Sequence, residues 1–426
     1  MKRILILGAA LFGTFGMQAQ PTLDRCRAMA RGHYPEIRQY DLIRRTADYT
    51  LSNARREWLP QLTLSGQATW QNDVPEFPEQ MTGLLAGQGL DIPGLRKDQY
   101  RVQLEVSQTL WDGGKSAADR QIAEAEAAEQ ARATDVDLYA LEGRVDDLYF
   151  GILLLDERIA QTRLTIDLLR SNLDKVRSLQ RHGVAMQHDA DAVEAELLSA
   201  GQQLAQIGAM RASYRRMLEL FIGTQLGDVP LLRPEVAEVP DGESARPELQ
   251  LFDARIDRLT ARERLVRAAT RPRFGLFAQG YYGYPGLDYF GSMMTSDWTW
   301  NAVVGIRMSW NIGGYYTKRN TLKTLDVAKR QVEVQRDIFL FNNRLERTEN
   351  DGEIVRLRRA LADDDRIVQL RRSVREAAES QLRNGVIDTN DLLRKITDES
   401  RAAIARSSRE IELLKAIYEL KHTINR

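Results

Sequence analysis

The segment from Trp298 to Trp310 has the sequence WTWNAVVGIRMSW and alternates between two kinds of side chain. One face carries large or apolar residues, namely Trp298, Trp300, Ala302, Val304, Ile306, Met308 and Trp310. The other face carries mainly polar or small residues, namely Thr299, Asn301, Gly305, Arg307 and Ser309. A period of two over about ten residues is typical of a β-strand that crosses a lipid bilayer.

Three further segments resemble this one, so we predict four strands, at about 61–71, 100–111, 273–284 and 298–311. The segment 273–284 alternates less regularly but is rich in aromatic residues and glycine. Large aromatic residues cluster at strand ends and predict a membrane girdle, made of Trp70, Tyr100, Trp298, Trp300 and Trp310. The alternative is a pair of soluble β-hairpins that pack one face on helices.

Four strands cannot close a barrel on their own. An open sheet edge in lipid leaves backbone groups without hydrogen bonds, at a cost of several kcal/mol each. Other chains must therefore complete the sheet, and three copies would supply about twelve strands, which lies within the known range for such barrels.

The landmarks of the sequence occur twice in the same order. Pro35-Glu36-Ile37 returns as Pro247-Glu248-Leu249, and Trp111-Asp112-Gly113-Gly114 returns as Trp310-Asn311-Ile312-Gly313-Gly314. Later, Arg181-His182-Gly183-Val184 returns as Arg383-Asn384-Gly385-Val386. We therefore predict a duplicated fold, mainly α-helical with a membrane β-barrel portion.

The predicted repeats cover residues 20–227 and 244–426, with a proline-rich linker at 228–243. The first repeat should contain helices at about 22–58, 115–181 and 186–222, and the second at about 244–270, 315–383 and 388–424. The longest helices, of nearly 70 residues, would each span about 100 Å. Such lengths suit coiled coils better than compact domains.

Composition and the first residues limit the function. The chain has 60 basic and 60 acidic residues, a balance that argues against binding of nucleic acid. Lys2 and Arg3 precede a short apolar run, so we predict a secretory signal peptide at 1–19. The lone cysteine, Cys26, cannot form an internal disulfide.

The chain resembles the TolC family of outer-membrane factors. The resemblance rests on the duplication, on WLPQL (58–62), on LWDGG (110–114) and on the two Gly-Val breaks. It implies a homotrimer in the outer membrane of a Gram-negative bacterium, with a 12-stranded β-barrel in the lipid and a 12-helix α-barrel in the periplasm. The resemblance also implies a passive efflux duct that works with a periplasmic adaptor protein and an inner-membrane pump.

The same resemblance places Gly183, Val184, Gly385 and Val386 at the periplasmic tip, where the adaptor would bind. It also places Asp189 and Asp391 at a narrow pore mouth, where three copies of each would favour cations. The alternative role for these aspartates is to stabilise a helix N-terminus. The family's usual tip residues are replaced by Leu382, Ile387 and Arg394, so its closed-state bonds cannot be transferred.

No enzymatic chemistry is predicted from the sequence. Gly114-Lys115-Ser116 resembles the end of a phosphate-binding loop, but the earlier glycine is replaced by Thr109. His182 and His188 are too far apart to bind a metal from one helical face. We therefore expect no catalytic residues, cofactor or metal. The remaining alternatives are a periplasmic coiled-coil scaffold with partner-binding β-hairpins and, third, a periplasmic enzyme.

Overall fold

The computed structural model describes residues 21–89, 92, 94–183, 185–235 and 242–425. The predicted signal peptide, Val184 and part of the predicted linker lie outside these residues. The chain divides into two compact units. The described residues of the helical unit fall within Met1–Ile37, Asp135–Pro247 and Ile338–Arg426, and those of the sheet unit fall within Arg38–Thr134 and Glu248–Asp337.

Helices dominate the described residues, with one small set of strands. The helices are α1 (Leu23–His33), α2 (Gln39–Arg56), α3 (Glu79–Ala86), α4 (Lys115–Arg181), α5 (Gln187–Ile222), α6 (Pro247–Ala268), α7 (Tyr289–Met294), α8 (Gly314–Arg383) and α9 (Thr389–Ile424). The strands are β1 (Gln61–Trp70), β2 (Asp98–Trp111), β3 (Arg273–Tyr284) and β4 (Thr299–Ser309). This composition confirms the predicted fold class of the single chain. Within the described ranges, none of these helices combines the length and apolar character needed to span a bilayer.

The sheet unit contains a four-stranded antiparallel sheet in the order β1-β2-β3-β4. The central pair, β2 and β3, joins the two predicted repeats, because each repeat contributes one of these strands. Leu64 lies opposite Leu104, and Ala278 opposite Val304. These apolar residues of neighbouring strands therefore share one face of the sheet.

The predicted helix at 22–58 is interrupted, which corrects the sequence prediction. Tyr34 has an extended backbone (φ −61°, ψ 131°), and its N–H donates to the carbonyl of Ala30. Pro35 then begins a 3₁₀ turn that ends at Arg38. The residue before a proline avoids the helical conformation, because the proline ring clashes with its backbone. The two short helices α3 and α7, in the loops between paired strands, were not predicted.

Both long helices begin at a glycine-rich turn, but the two turns differ. Before α4, the Asp112 carboxylate accepts hydrogen bonds from the N–H groups of Gly114 (2.8 Å) and Ser116 (2.6 Å). Gly113 and Gly114 have positive φ, and a Cβ on Gly113 would lie 2.8 Å from the Cβ of Arg271. Before α8, Asn311 Oδ1 accepts from the N–H of Gly314 at 3.0 Å. Gly313 and Gly314 do not have positive φ, and α8 already begins at Gly314.

The helical unit has an apolar core crossed by polar contacts. Large side chains of α4, α8 and α9 are almost fully buried, among them Tyr149, Phe150, Leu357, Ile417 and Leu420. Arg27 of α1 binds Asp146 of α4 through two short hydrogen bonds, at 2.7 and 2.5 Å. His422 stacks on Tyr139 with ring centroids 4.2 Å apart. These contacts fix the first and last helices against the middle of α4.

His422 should make the stability of this core depend on pH. Burial, together with the nearby charges of Arg246 and Arg27 and against that of Asp147, lowers the pKa of His422 to about 4. The unfolded chain takes up this proton near pH 6.5, so stability falls as the pH drops from about 6.5 to 4. The loss attributable to His422 should approach about 3 kcal/mol per chain.

We predict that His422→Phe, which keeps an aromatic ring against Tyr139, reduces this loss between pH 7 and pH 4.5. Denaturant unfolding of the purified protein at the two pH values measures it. His188→Gln is the control, because that side chain is 74% exposed. An unchanged pH dependence in His422→Phe would contradict the assignment.

Candidate functional site

The two predicted tip turns both lie in the helical unit and share one backbone geometry. Gly183 ends α4 with φ 76°, and its N–H donates to Gln180 O at 3.0 Å. Gly385 ends α8 with φ 70°, and its N–H donates to Leu382 O at 3.0 Å. A left-handed glycine at this position ends a helix without a Cβ clash. A Cβ built on either glycine would meet nothing within 4 Å, so both turns present open backbone.

The second turn is closed by one further backbone bond. Val386 N–H donates to Gln381 O at 2.9 Å, which completes a Schellman motif together with the Gly385 bond. The side chain of Val386 is exposed. Val184, its predicted counterpart in the first turn, lies outside the described residues.

The predicted pore aspartates occupy the same helix position but have different environments. Asp189 Oδ2 accepts a hydrogen bond from the N–H of Met186, the N-cap of α5, at 2.9 Å. The side chain of Asp189 is 18% exposed, whereas that of Asp391 is 50% exposed. In α9 the N-cap is Asp388, whose Oδ1 accepts from the N–H of Asp391 at 2.8 Å. The Asp391 carboxylate is therefore not needed for capping.

A basic residue lies beside the second aspartate. Arg394 Nη1 is 3.9 Å from Asp391 Oδ1, one helical turn further along α9. At that distance the guanidinium partly offsets the carboxylate charge. The two aspartates are thus not equivalent sources of negative charge.

Apolar clusters and ion pairs fix the helices that carry the turns. One cluster joins α4, α5, α8 and α9 through Leu169, Ala200, Ala378, Leu392 and Ile396. A second joins α4 to α5 nearer the first turn through Leu173, Val176, Ala190 and Val193. Around them, Arg375 of α8 binds Glu379 at 2.5 Å and also Glu399 of α9. Lys175 of α4 reaches Glu379 at 3.3 Å.

The sheet unit exposes one apolar face. Val304 and Trp300 are 78% and 80% exposed. Many other large apolar side chains on this face are also exposed, including Leu62, Leu64, Val102, Leu104, Leu276, Ile306 and Met308. A contiguous apolar surface of this kind marks an interaction with a membrane or with protein.

The predicted girdle residues lie at the two ends of this apolar face. Tyr100, Trp298 and Trp300 cluster at one end, where Tyr100 stacks on Trp298 at 6.2 Å. Trp310 lies just past the other end of β4, and its Nε1 donates to Thr270 O at 3.1 Å. Trp300 and Trp310 are ten residues apart, a span of about 25 Å for a strand tilted by about 40°. That value matches the height of the apolar band of a membrane barrel.

The opposite face of the sheet is polar and internally bonded. Glu105 lies at its centre and accepts hydrogen bonds from Gln279 Nε2 (2.8 Å) and Arg307 Nη1 (3.2 Å). Arg101 Nη2 donates to Gln67 at 2.7 Å. This face therefore suits contact with water. Sequence reasoning noted the polar alternation but not the link from Glu105 to β3 and β4.

Comparison with known proteins supports this description. Residues 27–224 match the model of the family described as outer membrane efflux protein. No curated protein matches the sequence.

Three solved structures are similar to the chain over nearly its whole length. The outer-membrane channel OprN shares 16% identity, with 95% of this chain and 90% of that chain covered and a TM-score of 0.70. VceC from Vibrio cholerae shares 15%, with 94% and 95% covered and a TM-score of 0.69. The open-state MtrE outer membrane channel of Neisseria gonorrhoeae shares 18%, with 95% and 89% covered and a TM-score of 0.66. The family match and the shared fold confirm the resemblance predicted from the sequence.

We predict that the two acidic residues at the start of α9 can be separated by mutation. Asp388→Ala removes the N-cap and should destabilise the start of α9 by about 1 kcal/mol, which speeds local amide exchange roughly fivefold. Asp391→Ala keeps the N–H that is capped and should have a smaller effect. Hydrogen exchange of residues 387–392 measures both, and equal effects would contradict the capping geometry.

Proposed function

We propose that this chain, an outer membrane efflux protein by its first repeat and by its fold, is one third of a trimeric duct. The duct carries small molecules or other substrates from an inner-membrane pump, across the periplasm, to the exterior. It is passive, since the pump supplies the energy. The family match and the fold of the solved outer-membrane channels support an outer-membrane location and the role of a channel.

The observation that carries the proposal is the open sheet. Among the described residues β1 and β4 each pair with one neighbour only, so both outer edges keep unpaired backbone groups. The apolar face beside these edges is exposed. In lipid such edges must be closed by hydrogen bonds. A homotrimer closes them when β4 of one copy pairs with β1 of the next, which gives a barrel of about twelve strands.

Adjacent valines on β4 allow a matched test of which face meets lipid. Val304 lies on the exposed apolar face, whereas Val303 lies on the polar face opposite Gln279. We predict that Val304→Arg blocks outer-membrane assembly, because arginine near the bilayer midplane costs about 2–4 kcal/mol per site. Val303→Arg should assemble normally, because its side chain points to the water-filled interior.

Outer-membrane fractionation and heat-dependent gel mobility report this assembly. Normal assembly of Val304→Arg would refute the lipid-facing assignment. Recovery of the unmodified protein as a monomer soluble without detergent would favour the alternative, a periplasmic scaffold whose hairpins bind a partner.

The tip turns are the proposed contact with the adaptor protein. Gly183 and Gly385 have open space beside their backbone, and the side chain of Val386 is exposed. A partner can therefore approach these turns closely. Val184 is included by its position in the sequence. Asp189 and Asp391 are the proposed pore residues, with Asp391 the more available because its carboxylate does not cap a helix. Arg394 lies beside Asp391 and reduces the contribution of the Asp391 carboxylate to cation preference.

We predict that Gly385→Trp leaves export and trimerisation intact but abolishes efflux, because the indole blocks the approach of the adaptor. Gly89→Trp is the matched control. Gly89 also has positive φ (81°) and open space around its Cβ position, but it lies in the sheet unit. Both variants therefore share the same local backbone strain.

Efflux is measured as accumulation of a fluorescent dye in cells that express this chain together with an inner-membrane pump and its periplasmic adaptor. Abundance and heat-dependent mobility of each variant are measured in the same cells. Normal efflux by Gly385→Trp at wild-type abundance would contradict the tip assignment.

A further inference from the structure

A cavity of about 660 Å³ opens at the end of the sheet where β2 leads into α4. We call it the base cleft. It is lined by residues of the polar face, including Gln61, Ser107 and Phe277, and by the C-terminal end of α2. All of its lining residues belong to the sheet unit. The cleft is distinct from the tip turns.

The charged residues that line the cleft are mostly basic. They are Arg56, Lys115, Arg273, Arg307, Glu57 and Asp112. The Asp112 carboxylate is already engaged by the N–H groups of Gly114 and Ser116 and by the Ser116 hydroxyl. These bonds outweigh the effect of burial and hold the pKa of Asp112 below its usual range. The Asp112 carboxylate is therefore occupied by hydrogen bonds within the turn, and it does not compete with a ligand for the basic side chains of the cleft.

Two of the four cations lack a carboxylate partner. Lys115 binds Asp119 at 2.6 Å, and Arg307 binds Glu105 at 3.2 Å. Arg56 and Arg273 make no ion pair within the described part of the chain, and both are exposed. Guanidinium groups that are free to form two parallel hydrogen bonds are the usual recognition elements for carboxylate, sulfonate and phosphate.

An aromatic ring, that of Phe277, lies beside Arg307 in the same cleft. The Phe277 ring packs over Gly305, where a Cβ would come within 2.9 Å of the ring. The Arg307 guanidinium lies 4.6 Å from the centroid of the same ring. Glycine at position 305 thus lets the Phe277 ring lie against the sheet. An apolar surface therefore lies next to the positive charge of Arg307.

Basic residues also outnumber acidic residues on the polar face of the sheet as a whole. The charged residues on that face of the four strands are Arg101, Arg273 and Arg307 against Glu105. A surface with this excess raises the local concentration of anions.

We propose that the base cleft binds organic anions that carry an aromatic or apolar body. Arg56 and Arg273 would hold the anionic group, and Phe277 would contact the body. The inference rests on the proposed function, because a trimeric barrel places the polar face and the cleft on the path of the substrate. It names the substrate class that this chain favours at the barrel entrance.

Equilibrium dialysis of the purified full-length protein in a neutral detergent tests the inference. The probe is 1-naphthalenesulfonate, the neutral comparison is 1-naphthalenemethanol, and binding to detergent alone is subtracted. We expect saturable binding of the sulfonate, weakened by salt. Arg273→Gln and Arg56→Gln should each raise its Kd roughly tenfold, the effect of losing one charge-assisted hydrogen bond. Neither change should affect the neutral probe.

Two control variants separate specific binding from a general loss of charge. Arg319→Gln removes a cation from exposed α8 in the same unit, outside the cleft, and should bind as the wild type does. Arg273→Lys keeps the charge and should retain more binding than Arg273→Gln. Wild-type affinity in the double variant Arg56→Gln/Arg273→Gln, or equal affinity for the neutral probe, would overturn the inference.

The outcome is distinguishable from failure of the proposed function. Cross-linking and outer-membrane fractionation of the same preparations report the trimer independently of binding. A membrane-inserted trimer that does not bind the sulfonate would overturn the base cleft and leave the duct in place.

Discussion

Unpaired backbone at the two edges of the sheet is the constraint on which the rest of the structure depends. β1 and β4 have apolar side chains on one face and open N–H and C=O groups along their outer edges. In water the edge groups can form hydrogen bonds with solvent, but exposure of the apolar face is unfavourable. In lipid the apolar face is favourable, but the edge groups have no hydrogen-bond partners. A closed ring of copies satisfies both requirements at once. This is why a strand set of this size and polarity points to an assembly in a membrane.

The helical unit meets a different requirement, since its helices must reverse direction without losing their packing. Glycines with positive φ end α4 and α8, and a capped helix begins a few residues later in each case. The apolar clusters and the ion pairs around Arg375 lie behind these turns. The turns therefore present backbone on a rigid support, a suitable arrangement for contact with a partner.

Sequence reasoning located the strands and the glycine turns because each depends on local rules. Alternation with a period of two indicated β1, β2 and β4, aromatic and glycine-rich sequence indicated β3, and glycine at positions 183 and 385 indicated left-handed turns. The break at Tyr34–Pro35 was missed although Pro35 is itself the local signal.

Other features depend on hydrogen bonds and contacts that the sequence does not show directly. Asp189 and Asp391 looked equivalent, yet their roles differ because the preceding N-cap is Met186 in one turn and Asp388 in the other. A methionine cannot cap a helix well, so the Asp189 carboxylate turns back to the backbone. Residue 56 of α2 lines the base cleft together with residues 273 and 307 of the sheet, and this proximity appears only in the folded chain.

The pairing of β2 with β3 has a consequence for biogenesis. These strands are neighbours in the sheet but are separated along the chain by α4, α5 and α6. During synthesis and export, β2 emerges long before its partner exists, and closing so long a loop is slow. Its apolar face and one edge remain available for aggregation throughout that interval. The first repeat expressed alone would keep that edge open, because it lacks the strand that β2 requires.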